Sequence, residues 1–104
     1  MRTIKFRFYS NHLGKFVTPD DSIFVGALKD PDMNPMQFTG LHDKNGKEIY
    51  EGDIVIGLGV VKWYDKDAKY MLYFNNGDKP TVELNAAQFS EIIGNIYENP
   101  ELVK

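Results

Sequence analysis

Cysteine is absent from this sequence of 104 residues. Its absence excludes a disulfide framework, a thiol nucleophile and any zinc or iron–sulfur site built on cysteine. Long apolar runs are also missing, because the longest uncharged one, Ile54–Val61, is less than half of a membrane span. Arg2, Lys5 and Arg7 stand where a signal peptide needs its apolar stretch. We therefore expect a cytoplasmic protein that has no membrane partner.

Residues suited to catalysis are equally scarce. The histidines are His12 and His42, and with no serine in a nucleophile-elbow setting they form no catalytic triad. Asp30–Asp32 resembles the paired acids of cation-dependent enzymes. Asp43–Gly46 resembles the start of a calcium loop, but its glycine comes too early. Gly57–Gly59 lacks the Lys-Ser/Thr tail of a phosphate loop. We predict no enzyme, no metal and no cofactor; a metal-dependent enzyme using the acidic loop is the least favoured hypothesis.

The composition is that of one globular domain. Hydrophobic residues make up 42% and aromatic residues 13% of the chain, and the formal net charge is −3. Surface scaling for this mass predicts that about two-thirds of the accessible surface is buried on folding. We therefore predict a single domain over residues 1–104, and the acidic balance does not favour a general polyanion binder.

The first strand is predicted over Ile4–Tyr9, where apolar and polar side chains alternate. After a turn, Lys15–Thr18 is expected to return and complete an N-terminal hairpin. The predicted inward face comprises Ile4, Phe6 and Phe8. The predicted outward face comprises Lys5, Arg7 and Tyr9.

Turn signals divide the rest of the chain into short segments. Pro19–Pro35 is predicted to be a long connecting loop with one short strand, Ile23–Val25. Asn45–Gly46 has the residue types of a two-residue type I′ turn, and Gly52–Asp53 marks another turn. Only Asn85–Glu91 looks helical, with Asn85 as its N-cap. This spacing predicts a mainly β fold with a minor α+β component, a small antiparallel barrel or curled sheet.

Alternation along these strands predicts the core. Trp63 is expected to be mostly buried because it shares a strand face with Val61. The last strand is expected to bulge at Gly94. The predicted buried set comprises Phe6, Phe38, Ile49, Ile54, Val61, Trp63, Ile93 and Ile96.

The N-terminal strand is the one basic patch with a plausible ligand. Lys5, Arg7 and Tyr9 share a face, and cations interleaved with an aromatic ring suit single-stranded nucleic acid. The alternative is an edge strand whose charges discourage edge-to-edge aggregation.

The hairpin from Val60 to Phe74 is apolar on both faces, which a small chain cannot easily cover. It predicts a homo-oligomer whose interface includes this hairpin, and the competing prediction is a monomer whose helix covers it. The predicted interface residues are Tyr64, Tyr70, Leu72 and Phe74, with Met71 and Tyr73 on the opposite face.

Three segments together resemble the YopX family: Ile4–Arg7, Met36–Val55 and Ile93–Leu102. The resemblance spans nearly the whole chain, with departures at Thr18–Pro35 and Asp65–Lys69. It implies a protein encoded by a bacteriophage or prophage, and it supplies no catalytic residues.

A weaker similarity links Glu51–Val55 and Gly59–Val61 to SH3-like and KOW-type barrels, and implies a partly open SH3-like barrel. In that pattern Gly52 makes a tight turn and Asp53 bonds local backbone amides. Gly40 and Gly52 are both expected to be structural, with positive φ or close backbone approach.

Two functional hypotheses remain ahead of the enzyme. The first is a non-enzymatic accessory protein that binds a protein partner or a second copy of itself. The alternative is a nucleic-acid-binding module that uses Lys5, Arg7 and Tyr9.

Overall fold

The computed structural model of the chain describes residues 5–17 and 33–103. Within these ranges nine strands form two antiparallel sheets, one of them a half-barrel. The predicted mainly antiparallel β fold is confirmed, whereas its SH3-like character stays a prediction. Ile4, Thr18 and the short strand predicted at Ile23–Val25 lie outside the described residues.

The first sheet has the strand order β2-β1-β3-β4, with β1 (Phe6–Ser10), β2 (Lys15–Val17), β3 (Met33–His42) and β4 (Glu48–Tyr50). The second sheet has the order β8-β7-β6-β5-β9, with β5 (Asp53–Val55), β6 (Gly59–Tyr64), β7 (Lys69–Tyr73), β8 (Val82–Glu83) and β9 (Ile92–Asn95). Short 3-10 helices occupy Asp65–Asp67, Phe74–Asn76, Leu84–Phe89 and Pro100–Val103. Among the described residues, no helix has the length and apolar character needed to cross a membrane.

The third strand begins earlier than the sequence predicts. Met33–Pro35 was predicted to end the connecting loop, but these residues pair with Phe8–Ser10 of β1. The prediction is wrong at this end of the loop because the long β3 continues alongside the whole of β1.

The two faces of β1 are the reverse of the prediction. Phe6 is 46% exposed, whereas Tyr9 is 8% exposed and belongs to the core. Phe6 and Phe8 stack on each other, with ring centres 6.3 Å apart. The pattern of alternation is right, but a tertiary contact of Arg7, described below, turns the other face inward.

The predicted turn at Asn45–Gly46 is present, but it is not of type I′. Gly46 has a φ of +82°, and its amide donates to the carbonyl of Asp43 at 3.0 Å. Asn45 lies outside the left-handed region. This is a three-residue loop with a left-handed glycine at its end. The turn with two left-handed residues lies at Asn75–Asn76 instead.

The carboxylate of Asp43 stabilises this three-residue turn and links it to the second sheet. Its Oδ1 accepts from the amides of Asn45 and Lys47, each at 2.9 Å. Its Oδ2 accepts from the amide of Ile92, on β9, at 3.0 Å. Burial raises the pKa of Asp43, but the three backbone donors outweigh it and hold the pKa below its ordinary value.

The buried side chains form two clusters. The larger comprises Ile49, Val55, Val61, Leu72, Ala87 and Ile92. The smaller comprises Tyr9, Met36, Phe38 and Tyr50. Of the predicted core, Phe38, Ile49, Ile54 and Val61 are buried and Ile96 is half-buried.

Three core predictions are wrong: Phe6, Trp63 and Ile93 are exposed. The bulge expected next to Gly94 accounts for Ile93. Val55 pairs with Ile92 and Ile54 with Gly94, so Ile93 is the extra residue on β9 and is 38% exposed. Trp63 does share a face with Val61, but it lies beyond the edge of the core.

The predicted helix is a 3-10 segment, Leu84–Phe89, and Asn85 is not its N-cap. Glu83 holds that position without a side-chain hydrogen bond. The segment is anchored instead by Ala87, which is fully buried in the larger cluster together with Leu72. Tertiary packing rather than capping therefore positions this helix.

The middle of the β6–β7 hairpin is buried on both faces. Val61 and Leu72 are fully buried on one face, and Val60 (0%) and Tyr73 (6%) are buried on the other. Tyr64 pairs with Lys69, so it lies on the face opposite to Tyr70 and Leu72 and not beside them as predicted.

Gly52 and Gly40 form a matched pair for testing the turn chemistry. Both have positive φ, +90° and +93°. A Cβ at Gly52 would lie 3.0 Å from the buried Met36, whereas one at Gly40 would meet nothing within 4 Å. We expect Gly40→Val to lower the free energy of unfolding by about 1–3 kcal/mol through backbone strain. Gly52→Val should lower it further, as measured by urea denaturation. Equal losses in the two variants would contradict the packing role of Gly52.

The low pKa of Asp43 predicts a pH-dependent contribution to stability. The ionised carboxylate stabilises the fold above the unfolded pKa, near 3.8, and this contribution is lost as the pH falls through the lower folded pKa. Asp43→Asn removes an acceptor from buried amides and should cost about 1–3 kcal/mol at pH 7. Urea unfolding at pH 7 and pH 3 should show that the difference in free energy of unfolding between the parent protein and Asp43→Asn is smaller at pH 3. A difference of constant size would contradict the role of the charge.

Candidate binding groove between the sheets

One buried ion pair joins the two sheets. Asp53 begins β5 and is 1% exposed, and its Oδ1 contacts Nη2 of Arg7 on β1. Its Oδ2 accepts a hydrogen bond of 2.8 Å from the amide of Tyr50, at the end of β4. The prediction that Asp53 bonds a local backbone amide is confirmed, and the same carboxylate also reaches a distant strand.

Aromatic rings enclose the guanidinium of this pair. The Cζ of Arg7 lies 4.6 Å from the ring centre of Phe16 and 4.4 Å from that of Tyr50. Burial raises the pKa of Asp53, although Arg7 and the Tyr50 amide act in the opposite direction. The pair is therefore held by cation–π contacts as well as by charge.

The other residues of the predicted nucleic-acid face are engaged within the protein as well. Lys5 forms an ion pair with Glu48, and its Nζ lies 5.0 Å from the ring centre of Phe38. Tyr9 is buried and stacks on Tyr97, with ring centres 5.7 Å apart. Arg7 and Tyr9 thus direct their charge and ring into the fold, whereas the Lys5 side chain stays 42% exposed beside Glu48.

An irregularity in β3 opens a groove next to this junction. Phe38 pairs with Tyr50 and His42 with Glu48, so β3 has two more residues than β4 between these pairs. The Thr39 hydroxyl donates to the carbonyl of Ile49 at 2.8 Å. Gly40, which follows, adopts its positive φ here. The structural role predicted for Gly40 is confirmed: it allows β3 to bend away from β4.

The groove lies between the bent part of β3 and the end of the β6–β7 hairpin where the turn joins the two strands. Its volume is about 570 Å³, which is within the size range of ligand sites. Its apolar lining includes Phe38, Leu41, Trp63, Tyr70 and Leu84. Each sheet therefore contributes one wall.

Two aromatic side chains dominate the hairpin wall. Trp63, the only tryptophan of the chain, is 45% exposed. It meets Tyr70 edge to face, with ring centres 5.0 Å apart. The Tyr70 hydroxyl donates to Oε1 of Gln37, on β3, at 2.9 Å. This bond crosses from one wall to the other and holds the aromatic pair in place.

The charges at the rim of the groove compensate one another. Lys69 lies 2.8 Å from the carboxylate of Glu83 and 3.8 Å from that of Asp67. Among the described lining residues, Lys69 is the one basic and Glu83 the one acidic side chain. A ligand in this groove therefore meets apolar surface beside a neutralised ion pair.

The predicted interface residues are separated by the fold. Tyr70 lines the groove, and Leu72 is fully buried in the core. Phe74 is 54% exposed at the other end of the hairpin. Trp63, which the strand pattern predicts to be in the core, is instead a surface residue. Its position at the end of β6, next to the acidic turn that begins at Asp65, was the signal that it lies beyond the core.

The histidines do not approach a cluster of acids. His12 is exposed in the turn after β1, and His42 is exposed with its ring 5.7 Å from that of Phe38. In residues 5–17 and 33–103, no group of three or more His, Cys, Asp or Glu side chains could hold a metal ion. Asp30–Asp32, the acid pair noted in the sequence, lies outside these ranges.

Comparison with known proteins identifies a family by sequence and a similar fold among solved structures. A family model described as "YopX protein" matches residues 6–104. The crystal structure of protein EF1440 from Enterococcus faecalis has a similar fold, with a TM-score of 0.68. That match covers 100% of both chains at 23% sequence identity, which shows the fold alone. No curated protein matches the chain.

Proposed function

We propose that the chain, which belongs to the YopX family, acts by binding another protein and not by catalysis. As the family resemblance implies, it would be a phage or prophage accessory protein that works in the cytoplasm of the bacterial host. The proposed binding site is the groove between the sheets.

The observation that supports this proposal is the half-exposed Trp63 in a concave site. Tryptophan and tyrosine are enriched among the residues that dominate binding energy at protein interfaces. Trp63 is already oriented by its edge-to-face contact with Tyr70, and Tyr70 is held by its hydrogen bond to Gln37. Because the rings are ordered before binding, these side chains lose little conformational entropy when a partner contacts them.

The chemistry of the lining favours an apolar, extended segment of a partner protein. The groove is open between two sheets and lined by aromatic and aliphatic side chains. Aromatic-lined grooves of this kind accept extended peptide segments. Lys69 is already neutralised by Glu83 and Asp67, so the groove offers a peptide apolar contact without an unpaired charge.

The same charges disfavour nucleic acid as the occupant. Binding of single strands depends on cations that remain available to phosphates. Lys69 at the groove, Lys5 just before β1 and Arg7 on β1 are each paired with a carboxylate. Nucleic-acid binding is therefore the alternative result that the titration described next would detect.

The proposal can be tested with the fluorescence of Trp63. Short peptides selected from a random display library against the intact protein would be titrated into it, and oligothymidylate would be titrated separately. We expect a saturable change in Trp63 fluorescence with apolar, uncharged peptides and none with the oligonucleotide. Trp63→Ala should weaken peptide binding, measured by calorimetry, by at least about tenfold.

Phe89→Ala is the matched control, because Phe89 is an exposed aromatic residue (84%) outside the groove. It should bind the selected peptides as the parent protein does. Failure to select any peptide that changes the fluorescence, or equal binding by Trp63→Ala, would contradict the proposed site. Saturable quenching by oligothymidylate would favour the nucleic-acid hypothesis.

A further inference from the structure

We infer that the chain associates with a second copy of itself through an apolar patch at the opposite end of the β6–β7 hairpin from the groove. The patch consists of Ile56, Phe74, Ile93 and Leu102. This inference does not rest on the proposed function, because none of these residues lines the groove.

Four separate segments bring these side chains together around one hollow of about 80 Å³. Their exposed fractions are 53% for Ile56, 54% for Phe74, 38% for Ile93 and 45% for Leu102. Ile93 is presented by the bulge in β9, and Leu102 by the 3-10 helix that follows. Half of the large hydrophobic residues that are exposed among the described residues are thus concentrated at one place.

Among the described residues the patch carries no charge, which is unusual for this chain. None of the eleven described residues that line the hollow is ionisable. With 26% charged residues in the sequence, about three would be expected among eleven. Removal of charge from a surface is the compositional mark of an interface centre.

The lack of charge also favours a second copy as the occupant. Two copies of a chain with a net charge of −3 repel each other, and in a two-fold symmetric contact a charge near the axis would approach its own equivalent. An uncharged patch is a surface through which two such copies can meet without this cost.

The area of the patch is close to what a dimer contact needs. Half-exposed side chains of this size present roughly 350 Å² of apolar surface together. Two copies would bury about 700 Å² through these four side chains, and the exposed Gly57 and Asn75 at the same hollow add to the contact, which brings it toward the ~1,000 Å² expected of a specific one.

The backbone around the patch fixes how Phe74 is presented. Phe74 begins a tight turn in which Asn75 and Asn76 have φ values of +54° and +55°, and the Gly77 amide donates to the Phe74 carbonyl at 3.1 Å. The bulge at Ile93 interrupts the outer edge of β9. Contact through side chains is therefore favoured over extension of the sheet from copy to copy.

The test is the mass of the protein in solution, measured by sedimentation equilibrium over a range of concentration. The parent protein should run at twice its chain mass of 11.9 kDa at tens of micromolar. The double variant Phe74→Glu, Ile93→Glu should run at 11.9 kDa, with its association weakened by at least about a hundredfold. Phe89→Glu, a charge on an exposed aromatic residue outside the patch, should leave the dimer intact.

Circular dichroism and urea unfolding would show that the double variant is folded. If the double variant is not folded, the milder variant Leu102→Ser replaces it in the mass measurement. As a second test of association, the melting temperature of the parent protein should rise with protein concentration. A parent that stays at 11.9 kDa, or a folded patch variant that stays dimeric, would overturn the inference. Loss of peptide binding in Trp63→Ala with an unchanged dimer would separate this surface from the groove.

Discussion

The contact between Arg7 and Asp53 is the constraint on which the rest of the structure depends. It links β1 of the first sheet to β5 of the second, and through the Tyr50 amide it also holds the end of β4. Burial of the carboxylate raises its pKa, which shows that desolvation outweighs the attraction of its partners. We interpret the pair as a device that selects one arrangement of the sheets: an arrangement that left either charge buried alone would cost several kcal/mol.

Both candidate surfaces follow from that arrangement. With β1 held against β5, the bent part of β3 faces the end of the β6–β7 hairpin and the groove forms between them. The hairpin itself is buried on both faces in its middle, where Leu72 lies, and exposes aromatic residues at its two ends. Trp63 marks the groove at one end and Phe74 the apolar patch at the other. The same rigid hairpin would thus carry a partner protein and a second copy without competition between them.

Features that depend on neighbouring residues could be predicted from the sequence more readily than features that depend on contacts between distant strands. The strand-rich fold, the turn near Asn45 and the left-handed Gly52 follow from residue types whose preferences act within a few residues. The inward face of β1 could not be predicted in this way. Its alternation is symmetric, and only the distant Asp53 decides that Arg7 rather than Phe6 turns inward.

The candidate site shows the same division. Tyr70 was placed on a surface for self-association and instead lines the groove, while Trp63 was expected in the core. The hairpin pattern specifies that Trp63 and Tyr70 share a face, but where the core ends along that face depends on the bend of β3. That bend depends on a hydrogen bond from Thr39 to Ile49 on another strand, which no local pattern reveals.

The most direct measurement is a double-mutant cycle of Arg7→Met and Asp53→Asn, with the free energy of unfolding determined by urea denaturation. Arg7→Met leaves a buried charge without its partner and should cost about 3–5 kcal/mol, and Asp53→Asn should cost a comparable amount. We predict that the double variant loses little more than the worse single variant, with a coupling energy of at least about 2 kcal/mol. Additive losses, with a coupling energy below about 0.5 kcal/mol, would contradict the central role of the pair.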